Sequence, residues 1–594
     1  MTKRSLSPDA SATRRRVKPV LVEHQPFQIT NLEDGEVIYQ TCIVVHGKCQ
    51  SFDDVHETNF ISVSSSPDIH NGTGAAVHHW PLHQGRWSAL VTLTPGINTL
   101  VFQLHHAGGI SSELRIAVSY LPLLQLPPLH LAILVAKDSP LLIDCPPAKY
   151  GAISTAHSSL DAAVAKLRMS AYMWQALTAE DFRQKGLGRR SFRLEEEWTP
   201  NTTIQSGHQP IPGERSVMGA VPKVHIIRSD KTVAELRDAQ VAQQNPNGRD
   251  RDALHNYFET ALATSGPPFE SQCRPVVAGM LLDSHYSITQ SMILGHAALG
   301  CHKPDGISLG IFGSHLAYSW PRFMEEVPAC LTDMTPTGDT VGNDNGECDT
   351  MRGACFVGQG AFLHEVGHAF GAGHTTGIMA RGYSKTWGAN FVAHPTNDAA
   401  KNDAKWDLQD ALKFRLLPHF ALPGDEPVTD AVKQASVKIE IDLDREGEKT
   451  QDGKEGLRVS CVAGLAQVNI QNGDRDPVIH DFMGRPDRTS YTQLSIANVR
   501  QEFDQSEPLA ITALGQNGRV RVIKNAWAML LENPYVFVPG SDVVLTKRSV
   551  RSDDLEARGD HEDIRWAMLL RHRGQDGQLH RATSIDLRVG NMPS

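Results

Sequence analysis

At 594 residues the chain is too long for a single hydrophobic core, and about three or four folded units are expected. Its 40% hydrophobic and 21% charged residues describe an ordinary globular protein, which excludes a disordered or membrane-embedded one. A net charge of −10 leaves no electrostatic footprint for nucleic acid, and no apolar run reaches the ~20 residues of a bilayer span.

Residues 1–19 are polar and basic with no apolar stretch behind them, so they read as a disordered tail without the core of a secretory signal. Arg14-Arg15-Arg16-Val17-Lys18 has the make-up of a nuclear address, although such runs are more often solvated tail. Nine cysteines, an odd number widely scattered, do not resemble a disulfide framework. A cytoplasmic location is therefore expected, with the nucleus as the alternative. From 20 to 126 the pattern is β. Trp87, Ala89, Val91 and Leu93 alternate with Ser88, Leu90, Thr92 and Thr94; Pro95-Gly96 turns the chain, and Leu100, Phe102 and Leu104 alternate on the return. This predicts an N-terminal β-sandwich. Its histidines (His78, His79, His83, His105, His106) match no ligand spacing and are read as surface or packing residues.

Leu126-Pro127-Pro128 ends that pattern, and 127–424 reads differently. The continuous apolar run 131–136 predicts a strand buried on both faces. Ser158 and Ser159 are candidate N-caps for a helix carrying Leu160, Val164, Leu167, Ala171 and Trp174 on one face. A short strand at 224–227, a helix with Leu254, Phe258, Ala261 and Leu262, and strands at 276–282 and 307–312 follow. This β-α-β-α-β order predicts a mixed α/β sheet. The polar stretches 199–215 and 245–251 are expected to be surface insertions. One more helix, with Trp406, Leu408, Ala411, Leu412 and Phe414, precedes the linker Pro423-Gly424-Asp425-Glu426-Pro427. Beyond it, Val437, Ile439, Ile441 and Leu443 alternate with charged residues, and strand-like segments recur, so 425–594 is expected to be a β-rich sandwich or jelly roll.

The chemistry is concentrated in His364-Glu365-Val366-Gly367-His368-Ala369-Phe370-Gly371-Ala372-Gly373-His374, followed by Met379. On a helix, His364 and His368 lie one turn apart on one face and can reach one ion. Glu365 projects beside them, placed as general base for an attacking water. Gly371 lets the chain leave the helix sharply, and the turn brings His374 round as third ligand. One Zn2+ per chain, with its fourth position open to water or substrate, is the expected cofactor.

The motif matches that of the metzincin proteases, in which a methionine turn underlies the three imidazoles. Only four residues separate His374 from Met379, short for that group. Gly377-Ile378-Met379-Ala380-Arg381-Gly382-Tyr383-Ser384, with the upstream segments 174–180 and Gly186-Leu187-Gly188-Arg189-Arg190-Ser191-Phe192, resembles a fungal family named as "putative zinc metalloproteinases". The resemblance implies a metzincin-like mixed α/β zinc-protease domain flanked by the two β regions, in a multidomain α+β chain. It implies peptide or protein substrates, with Met379 as the floor of the site and Tyr383 as a transition-state or fifth-ligand contact. Some members carry a lectin-like C-terminal domain, so carbohydrate binding at that end stays open.

Cys348 and Cys355 precede the motif and are read as packed thiols; a local disulfide and a zinc-silencing cysteine are the alternatives. The Gly-rich stretch 346–360 is expected to be a loop bordering the cleft. The strand at 307–312 is the candidate edge for pairing with an extended substrate. The leading function is a metalloendopeptidase. The alternatives are a zinc amidohydrolase of another substrate class, or a β-domain binding protein whose structural zinc is closed by Cys355.

Overall fold

The computed structural model describes residues 27–49, 59–67, 76–106, 109–149, 156–204, 218–344, 346–442, 456–484, 488–527, 530, 535–537, 543–550, 566–573 and 579–586. The basic tail 1–19, with its Arg14–Lys18 cluster, lies outside them. The chain is a multidomain mixed α/β protein with several sheets, and among the described residues no helix is long and apolar enough to cross a membrane.

The N-terminal strands, from Phe27–Ile29 to Gly109–Tyr120, join in one eight-stranded sheet that folds over on itself. The fold lies at Val77–His83, whose first residues pair with Phe60–Pro67 and whose last two pair with Arg86–Thr92. Gln84 and Gly85 both have positive φ, the backbone that a tight two-residue hairpin needs. Trp87 therefore meets Phe102 across the interior at 5.3 Å, although their strands are not neighbours in the sheet.

The second sheet is centred on the buried strands Pro128–Val135, apolar but for His130, and Val276–Leu281, which pair in parallel. Ser308–Gly313 extends it in parallel, and Val224–Arg228 joins on the other side. Ser308–Gly313 is not the edge that the sequence suggested. The antiparallel strand Leu299–Cys301 lies outside it, with only three residues and a central glycine, too short to register as a strand by pattern.

The helix Leu160–Gln184 starts where predicted, with the Ser159 hydroxyl accepting from the Ala162 N–H at 3.2 Å. It is buried on all sides rather than on one face, because it lies between the two sheets. The Cys42 N–H donates to Gln175 Oε1 on one side, and Trp174 Nε1 donates to the Gln359 carbonyl on the other. One continuous apolar cluster runs through both units, so the core does not part at Leu126-Pro127. Arg189 and Arg190 fasten the same junction. The first pairs with Glu36 and Glu180, and the second with Asp425 of the predicted linker.

The helix Met351–Ala369 begins at the Thr350 cap, so the Gly-rich stretch is mostly helical rather than a cleft-bordering loop. Its glycines admit neighbours: a Cβ at Gly358 would strike Trp320, and one at Gly360 would strike Tyr383. C-terminal to residue 437, a three-stranded and a four-stranded sheet share a separate core built on Ile439, Leu457, Leu465, Val468 and Ile511. A four-stranded antiparallel sheet, from Tyr535–Phe537 to Leu579–Asp586, follows.

Candidate metal centre

His364 and His368 lie on the last turns of Met351–Ala369, and His374 follows the turn behind it. Gly371 makes that turn with φ of +94°, and a Cβ there would also press on the His302 ring at 3.3 Å. The three side chains converge. His368 Nε2 lies 3.1 Å from His364 Nε2 and 3.1 Å from His374 Nε2. On two of the rings the other nitrogen is engaged: His364 Nδ1 donates to the Ile378 carbonyl at 3.0 Å, and His368 Nδ1 to the Ala372 carbonyl at 2.9 Å. In neutral rings those bonds place both protons on Nδ1, leaving two Nε2 lone pairs facing each other. Adding a proton is opposed, since burial pushes His364 down to about 4 and lowers His368 as well. A cation resolves the contact. Nitrogens bound tetrahedrally at zinc distances sit about 3.3 Å apart, close to the separation here. The donor set thus fits one divalent ion, with carbonyl partners fixing the tautomers from behind. Burial is graded from His364, which is buried, to His374, which is exposed, so the cluster opens on the His374 side.

Glu365 is 6% exposed, and burial raises its carboxyl to about 8. Its backbone carbonyl rests between two adjacent strands. A Cβ at either Gly300 or Gly310 would come within 2.4 Å of that oxygen, so glycine at both positions lets the helix lie directly on the sheet. The edge strand Leu299–Cys301 consequently runs beside Glu365 and His368.

Met379 is buried in the short turn Gly377–Ala380, and its sulfur packs against Gly367 of the ligand helix, with Trp406 beside it. Tyr383 is buried with its ring 6.4 Å from that of His364, and burial raises its phenol. Cys348 and Cys355 are both free and buried, and neither joins the ligand group. Cys355 lies more than two helical turns before His364, too far along the rod to close the metal's fourth position. Burial holds its thiol up, which disfavours the thiolate that a ligand must be.

Residues that the motif did not reveal support the site from a distance in sequence. Thr375 Oγ1 donates to Asp410 Oδ2 and Thr376 Oγ1 to Asp407 Oδ2, tying the His374 segment to the helix Leu408–Phe414. His302 Nδ1 donates to the Ala369 carbonyl at 2.8 Å, joining the end of the edge strand to the end of the ligand helix. A second group, His130, His225 and Glu195, also clusters. There one carboxylate oxygen takes both imidazoles at 2.6 and 2.7 Å while Lys223 takes the other at 3.0 Å, so the charge is already matched by ordinary hydrogen bonds.

Residues 26–465 match a family model described as "Putative peptidase family", and the chain belongs to that family. Two fungal relatives, each named as a "putative zinc metalloproteinase", are similar to it. The Saccharomyces cerevisiae protein is 35% identical over 420 residues, 68% of this chain and 56% of its own length. The Schizosaccharomyces pombe protein is 31% identical over 418 residues, 67% of this chain and 60% of its own. The matched segment thus spans less than two thirds of either relative. Among solved structures, wild-type OgpA from Akkermansia muciniphila aligns at 10% identity and a TM-score of 0.33, covering 67% of this chain and 92% of that one, a likeness too slight to carry an argument.

Proposed function

We propose that this protein is a zinc-dependent metalloendopeptidase of metzincin type, holding one ion through His364, His368 and His374. The observation that carries this reading is the pair of Nε2 lone pairs facing each other at 3.1 Å, with both Nδ1 atoms pinned to backbone carbonyls. When bound, zinc supplies positive charge that polarises a scissile carbonyl and lowers the pKa of water towards ~7. Glu365 does the proton work: its carboxylate accepts a proton from the attacking water and returns it to the leaving nitrogen. Its burial beside the ligands suits this duty, because a weakly solvated carboxylate is a stronger base than a surface one. Met379 packs against the ligand helix, and Tyr383, whose ring is a neighbour of the His364 ring, is the group this reading assigns to developing oxyanion charge. An extended peptide pairs with Leu299–Cys301, which among the described residues has no further strand on its outer side.

Glu365→Gln tests the assignment. The variant is expected to keep stoichiometric zinc and lose at least about a hundredfold in peptide hydrolysis, in line with removal of a general base. Hydrolysis should also stop on chelation and return with zinc. Undiminished cleavage by metal-loaded Glu365→Gln removes Glu365 from the mechanism.

A further inference from the structure

The outer side of the substrate-binding edge is not uniformly open. Ala298, the residue before Leu299–Cys301, donates its N–H to Gln243 Oε1 at 2.7 Å, and its carbonyl accepts from Gln243 Nε2 at 2.8 Å. A single carboxamide thus makes the two bonds that one residue of a neighbouring strand would make. In an antiparallel pair the outward-facing residues alternate, so after Ala298 the next to present both groups outward is Gly300. Gly300 lies opposite Gly310, between the pairs Leu299↔Ile311 and Cys301↔Leu309. Two positions further, His302 ties the chain to the ligand helix. The free stretch of the edge is therefore centred on Gly300, beside Glu365 and His368.

Gln243 is held in place from its own side. Its carbonyl accepts from Arg251 Nε at 2.8 Å, the preceding Val241 and Ala242 are buried, and Asn245, two residues on, donates to the Ala239 carbonyl at 2.7 Å. A side chain anchored this way acts as a fixed stop.

We propose that Gln243 terminates the substrate-binding edge: an extended peptide pairs at Gly300 and is prevented by the Gln243 carboxamide from continuing along the strand at Ala298. Gln243 is thus a specificity-determining residue that limits the number of backbone subsites on one side of the scissile bond. This rests on the peptidase reading above. The test uses the full-length chain carrying Glu365→Gln, with and without Gln243→Ala. Its probes are peptides chosen from those the parent enzyme cleaves in a proteome-derived peptide library, lengthened one residue at a time in each direction. With Gln243 present, affinity should stop rising with length on one side. With Gln243→Ala, the next paired residue on that side should add about fivefold for each of the two backbone hydrogen bonds that Ala298 then offers, with zinc content unchanged. Gln243→Glu, which keeps the acceptor for the Ala298 N–H but loses the donor facing its carbonyl, should release part of the gain seen in Gln243→Ala, an outcome that packing alone would not produce. Identical length profiles in all three proteins, with peptides cleaved by the parent, overturn the stop and leave the peptidase reading intact. A parent enzyme that cleaves no peptide overturns both.

Discussion

Asp410 is completely buried, yet it is a carboxyl with one oxygen engaged by Thr375 and the other, Oδ1, without a partner. Burial, reinforced by Asp407 nearby, raises it to about 6. The sign of the pH effect follows. Between pH 4 and 6 the folded protein retains a proton that the unfolded chain releases, so stability falls as pH rises through that window and stays lower above it. Asp410→Asn keeps an oxygen for Thr375 and abolishes the titration. The metal-loaded variant is therefore expected to be more stable at pH 7.5, by up to about 3 kcal/mol, and to show a flatter stability profile between pH 4 and 6. Thermal melts across that range check this, and an unchanged slope refutes it. The contrast with His364, His368 and His374 shows which kind of residue a sequence discloses. Their geometry is set within eleven residues by one helix and one turn, so spacing alone suffices. Asp410 serves the same segment from 35 residues away, and Gln243 reaches Ala298 from 55. Neither has a local signature, because what gives each its role is a contact made only on folding.

At the scale of elements, pattern reading works where a segment is periodic on one face or continuously apolar. The helix Ala253–Thr264 and the parallel core strands lie where periodicity places them. It fails where close approach replaces periodicity. Glycine in 346–360 suggested a loop, but Gly353, Gly358 and Gly360 lie within a helix. At Gly358 and Gly360 large neighbours press so near that a Cβ would collide. The edge strand was obscured by Gly300 for the same reason. Gly310 gives a direct test. A Cβ there would lie 2.4 Å from the Glu365 carbonyl oxygen and 2.8 Å from the Val366 nitrogen, backbone atoms that cannot rotate aside. Gly310→Ala should push the ligand helix off the sheet, costing about 1–3 kcal/mol and weakening zinc binding although no ligand is altered. Gly306→Ala, where the new methyl would meet only the Lys303 side chain at 3.6 Å, should change neither property. Melting temperature and competitive zinc titration distinguish the two. Equal zinc affinity in both variants would show that helix placement is not held by this contact.

For the whole molecule, the question is whether the N-terminal sheet is a separable module or part of the body that carries the histidine cluster. A break at Leu126-Pro127-Pro128 suggested separation, yet the apolar cluster is continuous across it, and the helix Leu160–Gln184 is buried from both sides. Arg189 stands at this junction, 5% exposed at the side chain, donating to Glu36, Glu180 and the Asn31 carbonyl. Two of those partners belong to the N-terminal region and one to the long helix. The Gly186–Phe192 segment, which carries no chemistry of its own, thus functions as a clasp between the units. Removing one member of a buried ion pair leaves its partners desolvated and unmatched, which costs about 3 kcal/mol or more. Arg189→Met, which retains most of the apolar bulk, should therefore lower the melting temperature of the whole 27–420 body in one cooperative transition, with zinc content unaltered at lower temperature. Calorimetry on the full chain decides. If the N-terminal sheet melts in a transition of its own while the zinc-binding unit keeps its parental melting point, the two are independent domains and the shared core does not couple them.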